Sequence, residues 1–132
     1  MTDNIKIGRV FWFEAAHHLP NHEGKCRNRH GHSYKLLVEV EGPVQAEAPK
    51  PSHYIHPEAG MVMDYGRLKQ VVTDLVLDRM DHAYLNDIFP NPTAENMVIY
   101  IATILKHQLL PATLTKVELW ETRNSYAKWE RE

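Results

Sequence analysis

A single cysteine stands among the 132 residues, so no internal disulfide can staple the fold. No long uncharged apolar run occurs, and the first stretch is broken by Lys6, Arg9 and Glu14. Neither a signal peptide nor a membrane span is therefore legible, and a cytoplasmic location is the simplest expectation. Charge of one sign is not in surplus either: a formal net charge of −2 provides no broad basic surface, which argues against nucleic acid as a partner. Repeats and low-complexity tracts are missing as well. What remains is ordinary globular material, 43% hydrophobic and 24% charged, in a length that buries one core and leaves no room for a second module. Residues 1–132 are expected to form one domain. The unusual feature is a set of nine histidines, the side chain most often used as a metal ligand or near-neutral acid/base group.

Periodicity supplies the elements. From Ile5 to His17, Ile7, Phe11, Phe13, Ala15 and His17 share one parity, with Val10 and Trp12 as apolar exceptions on the other. From His30 to Gly42 the alternation is cleaner: His30, His32, Tyr34, Leu36, Val38 and Val40 fall on one face. Residues 43–59 carry Pro43, Pro49, Pro51 and Pro57 and read as a long surface loop. Gly60–Met63 has the composition of a short strand. Asp64 is placed to cap a helix with core residues Leu68, Val71, Val72, Leu75 and Met80 that ends near Asp81, and Thr93 to cap a second with Met97, Val98, Ile101, Ile104 and Leu105. Period two returns from Thr115 to Glu121, with Val117, Leu119 and Glu121 on one side. The order predicts an α+β fold, a sheet with both helices layered on one face.

His30 and His32 are separated by one glycine, so on a strand both imidazoles project from one face and can meet one ion. Parity selects His17 rather than His18 as the third ligand. Three neutral imidazoles around Zn²⁺ leave a fourth tetrahedral position for water or substrate, as in catalytic sites. An H-x-H pair on its own is also compatible with two ordinary surface or core histidines. Cys26, four residues before His30, lies among Lys25, Arg27 and Arg29, cations that favour a thiolate. Three roles stay open for it on spacing alone: a fourth zinc ligand, a small buried hydrophobe, or a reactive thiolate beside an open metal site. Asp81-His82 pairs a carboxylate with an imidazole, which suits proton transfer but also an exposed pair at a helix end. Glu121 shares the parity of the buried Val117 and Leu119, and a carboxylate there needs a donor-rich partner: a ligand with paired N–H groups, a helix N–H, Arg123 or water.

Six segments carry a family resemblance. F-E-A-A-H (Phe13 to His17), C-R-N-R-H-G-H (Cys26 to His32), M-D-Y-G-R-L-K (Met63 to Lys69), D-H-A-Y-L-N (Asp81 to Asn86), N-P-T-A-E-N (Asn91 to Asn96) and W-E-T (Trp120 to Thr122) occur in order over most of the chain. Together they resemble the 6-pyruvoyltetrahydropterin synthase and 6-carboxytetrahydropterin synthase family. The resemblance implies that His17, His30 and His32 bind zinc, that Cys26 abstracts a proton, that Asp81 and His82 form the partner acid/base pair, and that Glu121 anchors the 2-amino and N3 edge of a pterin. It adds Thr93, Glu95 and Thr122 as further pterin-pocket residues. It implies a T-fold with a four-stranded antiparallel sheet, three subunits joining their sheets into a barrel, two trimers forming a hexamer, and active sites between subunits. The Cys-x₃-His-Gly-His spacing matches the bacterial carboxy-forming members, whose substrate is 7,8-dihydroneopterin triphosphate and whose product leads toward queuosine. The pyruvoyl-forming animal members have two more residues in that gap. Ala83, where those bacterial members often carry a second histidine, and the long loop 43–59 depart from the pattern.

Overall fold

The computed structural model describes residues 3–47 and 56–132. Strands β1 (Asn4–His17) and β2 (His30–Pro43) pair antiparallel along their whole length, from Asn4 opposite Pro43 to His17 opposite His30. β4 (Thr113–Trp120) pairs antiparallel with β2, and β5 (Tyr126–Glu130) with β4; two residues of β3 (Ala83–Tyr84) run parallel to Ala15–Ala16. The sheet order is β3-β1-β2-β4-β5. Opposite Glu39 and Val40 the register slips by one, leaving Thr115 as the extra residue, and its hydroxyl donates to the Glu39 carbonyl and carboxylate.

The alternation read from the sequence decides which face is covered. Phe11, Phe13, Ala15, Tyr34, Leu36, Val38, Val40, Leu114, Val117 and Leu119 are buried on one face. Against it lie α1 (Tyr65–Val72), which continues through a π-helical turn (Thr73–Leu77) into α2 (Asp78–Met80), and α3 (Ala94–Leu105). Both expected caps form: the Asp64 carboxylate accepts from Arg67 N–H, and the Thr93 hydroxyl accepts from Asn96 N–H. The exceptions Val10 and Trp12 face the other way, and Trp12, 65% exposed, lies in register with Lys35, Trp120 and Tyr126 in a row across the open face.

Four expectations are corrected. The sheet has five strands rather than four. Gly60–Met63 is not a strand: Gly60 takes a left-handed φ of 78°, and the backbone turns back on Gln45, whose N–H donates to Met61 O while Gly60 N–H donates to Gln45 O. The core stripe of the first helix is Leu68, Val72, Val76 and Met80, with Val71 and Leu75 only partly buried. The π turn inserts a residue and keeps a spacing of four along the buried edge, which a 3.6-residue template does not. Residues 48–55 of the Pro-rich stretch lie outside the described residues. Its C-terminal end is not all surface, because Glu58 is buried and its carboxylate accepts from Arg67 Nε and Nη2 at 2.9 and 3.0 Å and from Asp64 N–H at 2.6 Å.

Candidate metal centre

The β1/β2 register builds the site. His17 stands directly opposite His30, and His32 lies two residues further along the same face of β2, opposite Ala15. The three rings form a near-equilateral triangle with centroids 4.6, 4.8 and 5.0 Å apart, crossing at 67° to 88°. Just past the end of β4, Glu121 closes the group, with Oε1 3.1 Å from His32 Nε2 and 3.9 Å from His17 Nε2. One ligand atom from each of the four residues lies within 4.8 Å of every other.

The ring nitrogens of this group are not all satisfied by hydrogen bonds. His17 Nδ1 lies 2.9 Å from the Pro92 carbonyl, and His30 Nδ1 lies 2.7 Å from the Asn28 carbonyl. A carbonyl only accepts, so each Nδ1 carries the hydrogen and, in a neutral ring, each Nε2 is a bare lone pair. Those two Nε2 atoms face one another at 3.1 Å. Two lone pairs at that distance repel unless a cation lies between or beside them. His32 Nε2 joins them: the atom is buried, and with Glu121 Oε1 3.1 Å away it still has no hydrogen-bond partner. Two imidazole nitrogens on one tetrahedral ion with bonds of ~2.0–2.1 Å stand roughly 3.3 Å apart, close to the His17–His30 separation. Carbonyls that orient the ring nitrogens are the usual outer support of metal-binding histidines. The donor set therefore fits a divalent metal, with His17, His30 and His32 holding it.

The surroundings favour neutral ligands. Burial lowers the pKa of His32; the Glu121 carboxylate opposes that shift, and His17 and His30 reinforce it. Tyr34, fully buried beneath the triangle, has its hydroxyl 3.4 Å from His17 Nδ1, and burial, aided by the Glu121 charge, raises its pKa so that it stays neutral.

The remaining predicted residues are distributed around this centre. Cys26 lies in a short 3₁₀ turn (Lys25–Arg27) and contributes no ligand atom to the group, whose fourth member is Glu121. Asp81 follows α2, and its Oδ1 accepts from Glu14 N–H at 3.0 Å and lies 3.0 Å from His82 Nδ1. His82 adopts φ 61°, and its N–H donates to the Glu14 carbonyl, so the Glu14 backbone grips both members of the pair. His82 and His32 line one cleft of about 390 Å³ with Glu14, Arg29, Ser33 and Tyr84. Cys26 does not line that cleft, nor do Thr93, Glu95 or Thr122. Thr93 uses its hydroxyl as the α3 cap; exposed Glu95 lines a separate groove with Tyr126 and Trp129; Thr122 lines an open-face cleft of 360 Å³ with Trp12, Lys35, Trp120 and Arg123. Sequence reasoning missed Tyr34, although one further step of the His30/His32 parity leads to it. It also missed the Pro92 and Asn28 carbonyls, for which no side-chain signal exists, and Glu14, which has the opposite parity to the histidines.

A family model described as 6-pyruvoyl tetrahydropterin synthase matches residues 6–132. The chain belongs to this family. Among its relatives is a 6-carboxy-5,6,7,8-tetrahydropterin synthase of Synechocystis sp., 41% identical, with the match covering 93% of this chain and 91% of that protein. One of the same name from Haemophilus influenzae is 33% identical over 96% and 99%. The solved structure of Caenorhabditis elegans 6-pyruvoyl tetrahydropterin synthase superposes with a TM-score of 0.79 at 30% identity, covering 99% of this chain and 98% of that one. The architecture is the T-fold of the 6-pyruvoyl tetrahydropterin synthase family, and among the described residues no helix is long and apolar enough to cross a membrane.

Proposed function

We propose that the protein is a zinc-dependent 6-carboxy-5,6,7,8-tetrahydropterin synthase. It converts 7,8-dihydroneopterin triphosphate and one water to 6-carboxytetrahydropterin, acetaldehyde and triphosphate, in the cytoplasm, at an early step toward queuosine and related deazapurines. The observation that carries this reading is the convergence of three imidazole Nε2 atoms, two of them opposed lone pairs and the third buried without a hydrogen-bond partner. Zinc held by His17, His30 and His32 would supply Lewis acidity to the hydroxyls of the substrate side chain. The Cys26 thiolate accepts a proton from that side chain, and His82, oriented by Asp81, exchanges a proton on the other side. Glu121 receives the 2-amino and N3 hydrogens of the pterin, with Thr93, Glu95 and Thr122 as further contacts. Triphosphate leaves by elimination, and carbon–carbon cleavage releases acetaldehyde.

The short gap between Cys26 and His30 and the similarity to proteins named as 6-carboxytetrahydropterin synthases support the carboxy-forming reaction. The separation of Cys26, Thr93, Glu95 and Thr122 from the His32–His82 cleft within one chain is in keeping with sites completed between subunits of a homohexamer. A second reading, pyruvoyl formation without carbon–carbon cleavage, draws on the likeness to the Caenorhabditis elegans structure. Incubation of zinc-loaded protein with 7,8-dihydroneopterin triphosphate, followed by mass analysis of the pterin and assay of acetaldehyde, separates them. Carboxytetrahydropterin with acetaldehyde is expected, and a pyruvoyl product without acetaldehyde replaces the first reading by the second. Tight pterin binding without turnover leaves a binding protein only. Cys26→Ala is expected to abolish product.

A further inference from the structure

The connection between β1 and β2, residues 18–29, carries Cys26, and its one regular turn buries no residue in the core. Cys26 itself is half-buried, and hydrogen bonds tie down the backbone around it. Within the connection, Leu19 N–H donates to the Cys26 carbonyl at 2.7 Å, and His22 N–H donates to Leu19 O at 3.0 Å. At its first stem the Asn86 side-chain amide clasps the His18 backbone both ways: Oδ1 accepts from His18 N–H, and Nδ2 donates to His18 O, each at 2.9 Å. The His18 ring stacks on Tyr84, with centroids 5.8 Å apart and planes 24° apart, and its Nδ1 meets the Tyr84 hydroxyl. At the other stem the Arg29 guanidinium sits 4.1 Å from the centre of the same Tyr84 ring.

The anchor itself is firm. Tyr84 belongs to β3, paired with β1, and Asn86 lies in a short turn (Leu85–Asp87) pinned by the fully buried Leu85. His18 follows His17, and Leu19, which holds the Cys26 carbonyl, follows His18. One amide thus fixes the backbone midway between a histidine of the metal centre and the cysteine loop.

We propose that Asn86, assisted by Tyr84, is a positioning residue that sets the Cys26 thiol relative to the metal centre. The segment Asp81–Asn86 then has two tasks, presenting the Asp81–His82 pair at one end and bracing the cysteine loop at the other. This rests on the role given to Cys26 above. A charge-neutral amide suits the task because it must donate and accept at once, which neither a carboxylate nor an alkyl group does.

Two variants test it, Asn86→Ala and the isosteric Asn86→Asp, which keeps the bond from His18 N–H and sets a carboxylate against His18 O. Because Cys26 is the sole cysteine, iodoacetamide labelling reads its environment as one mass addition. In both variants zinc content is expected to match the parent. Cys26 labelling should accelerate several-fold, and kcat should fall at least about tenfold with KM nearly unchanged, as for a reacting group displaced by roughly 1 Å. Labelling and kcat within about twofold of the parent in Asn86→Ala overturn the proposal. So does a loss of kcat that follows loss of zinc, since the residue would then act only through His17. If the parent shows no turnover, the enzymatic reading fails separately, and the labelling rate alone decides whether Asn86 braces the loop.

Discussion

Zinc added to metal-stripped protein is expected to raise its thermal midpoint by roughly 10 °C. The ion has a ready-made site only in the folded chain: strand register sets His17 against His30, and carbonyl acceptors at Pro92 and Asn28 already orient both rings. In the unfolded chain those two histidines are 13 positions apart with nothing to converge them. Selective binding to the native state contributes RT ln(1 + [L]/Kd), about 2.7 kcal/mol at one hundred times Kd. For a chain of this size each kcal/mol moves the midpoint by roughly 3–5 °C, hence the figure. The assay is a thermal melt after dialysis against a chelator, with and without added zinc at neutral pH. His30→Ala should lose most of the shift, because one of the two opposed Nε2 atoms disappears. Cys26→Ala should keep it, because Cys26 contributes nothing to the group of ligand atoms. No shift on adding zinc to the parent protein, or a shift that vanishes in Cys26→Ala, refutes the reasoning.

Glu121→Gln is expected to keep the metal and raise the KM for the pterin substrate by about 10- to 100-fold, the loss of a charged hydrogen-bond acceptor; metal analysis that finds the zinc gone would make Glu121 a ligand instead. Asp64→Ala removes the α1 cap and should cost about 1 kcal/mol in urea unfolding with turnover unchanged. Glu58 titrates below its ordinary value of 4.5, chiefly because Arg67 donates to its carboxylate and also because Asp64 N–H does, against the opposing effect of burial. The folded form thus binds the proton less readily than the unfolded one, so this stabilisation is complete above pH 4.5 and is lost as pH falls through the lower folded value. Glu58→Gln should lower stability near neutrality by about 1–3 kcal/mol, toward the lower end because Arg67 is partly exposed, and flatten the acid limb of a stability–pH curve; an unchanged acid limb would count against the pair.

Local periodicity determined a good part of this. Parity along Ile5–His17 and His30–Gly42 puts His17, His30 and His32 on the same face as the core, and the observed strands keep that parity without a slip. The caps at Asp64 and Thr93 were legible because each is satisfied within one turn of its own helix. What the sequence left open is of another kind. The Pro92 carbonyl that orients His17 is 75 positions away, the Asn86 amide that clasps His18 is 68, and the Asp81 carboxylate that meets the Glu14 backbone is 67. A backbone carbonyl carries no side-chain signature, β3 is too short to alternate, and the π turn shifts the phase of the first helix only when seen against the sheet it packs on. Side-chain spacing encodes which face a residue occupies, because that depends on neighbours one or two places along the chain. Which distant group stands opposite that face depends on how the elements pack, and here tertiary structure supplied the distant partners, the Pro92 carbonyl and the Glu121 carboxylate, that gather around the three histidines.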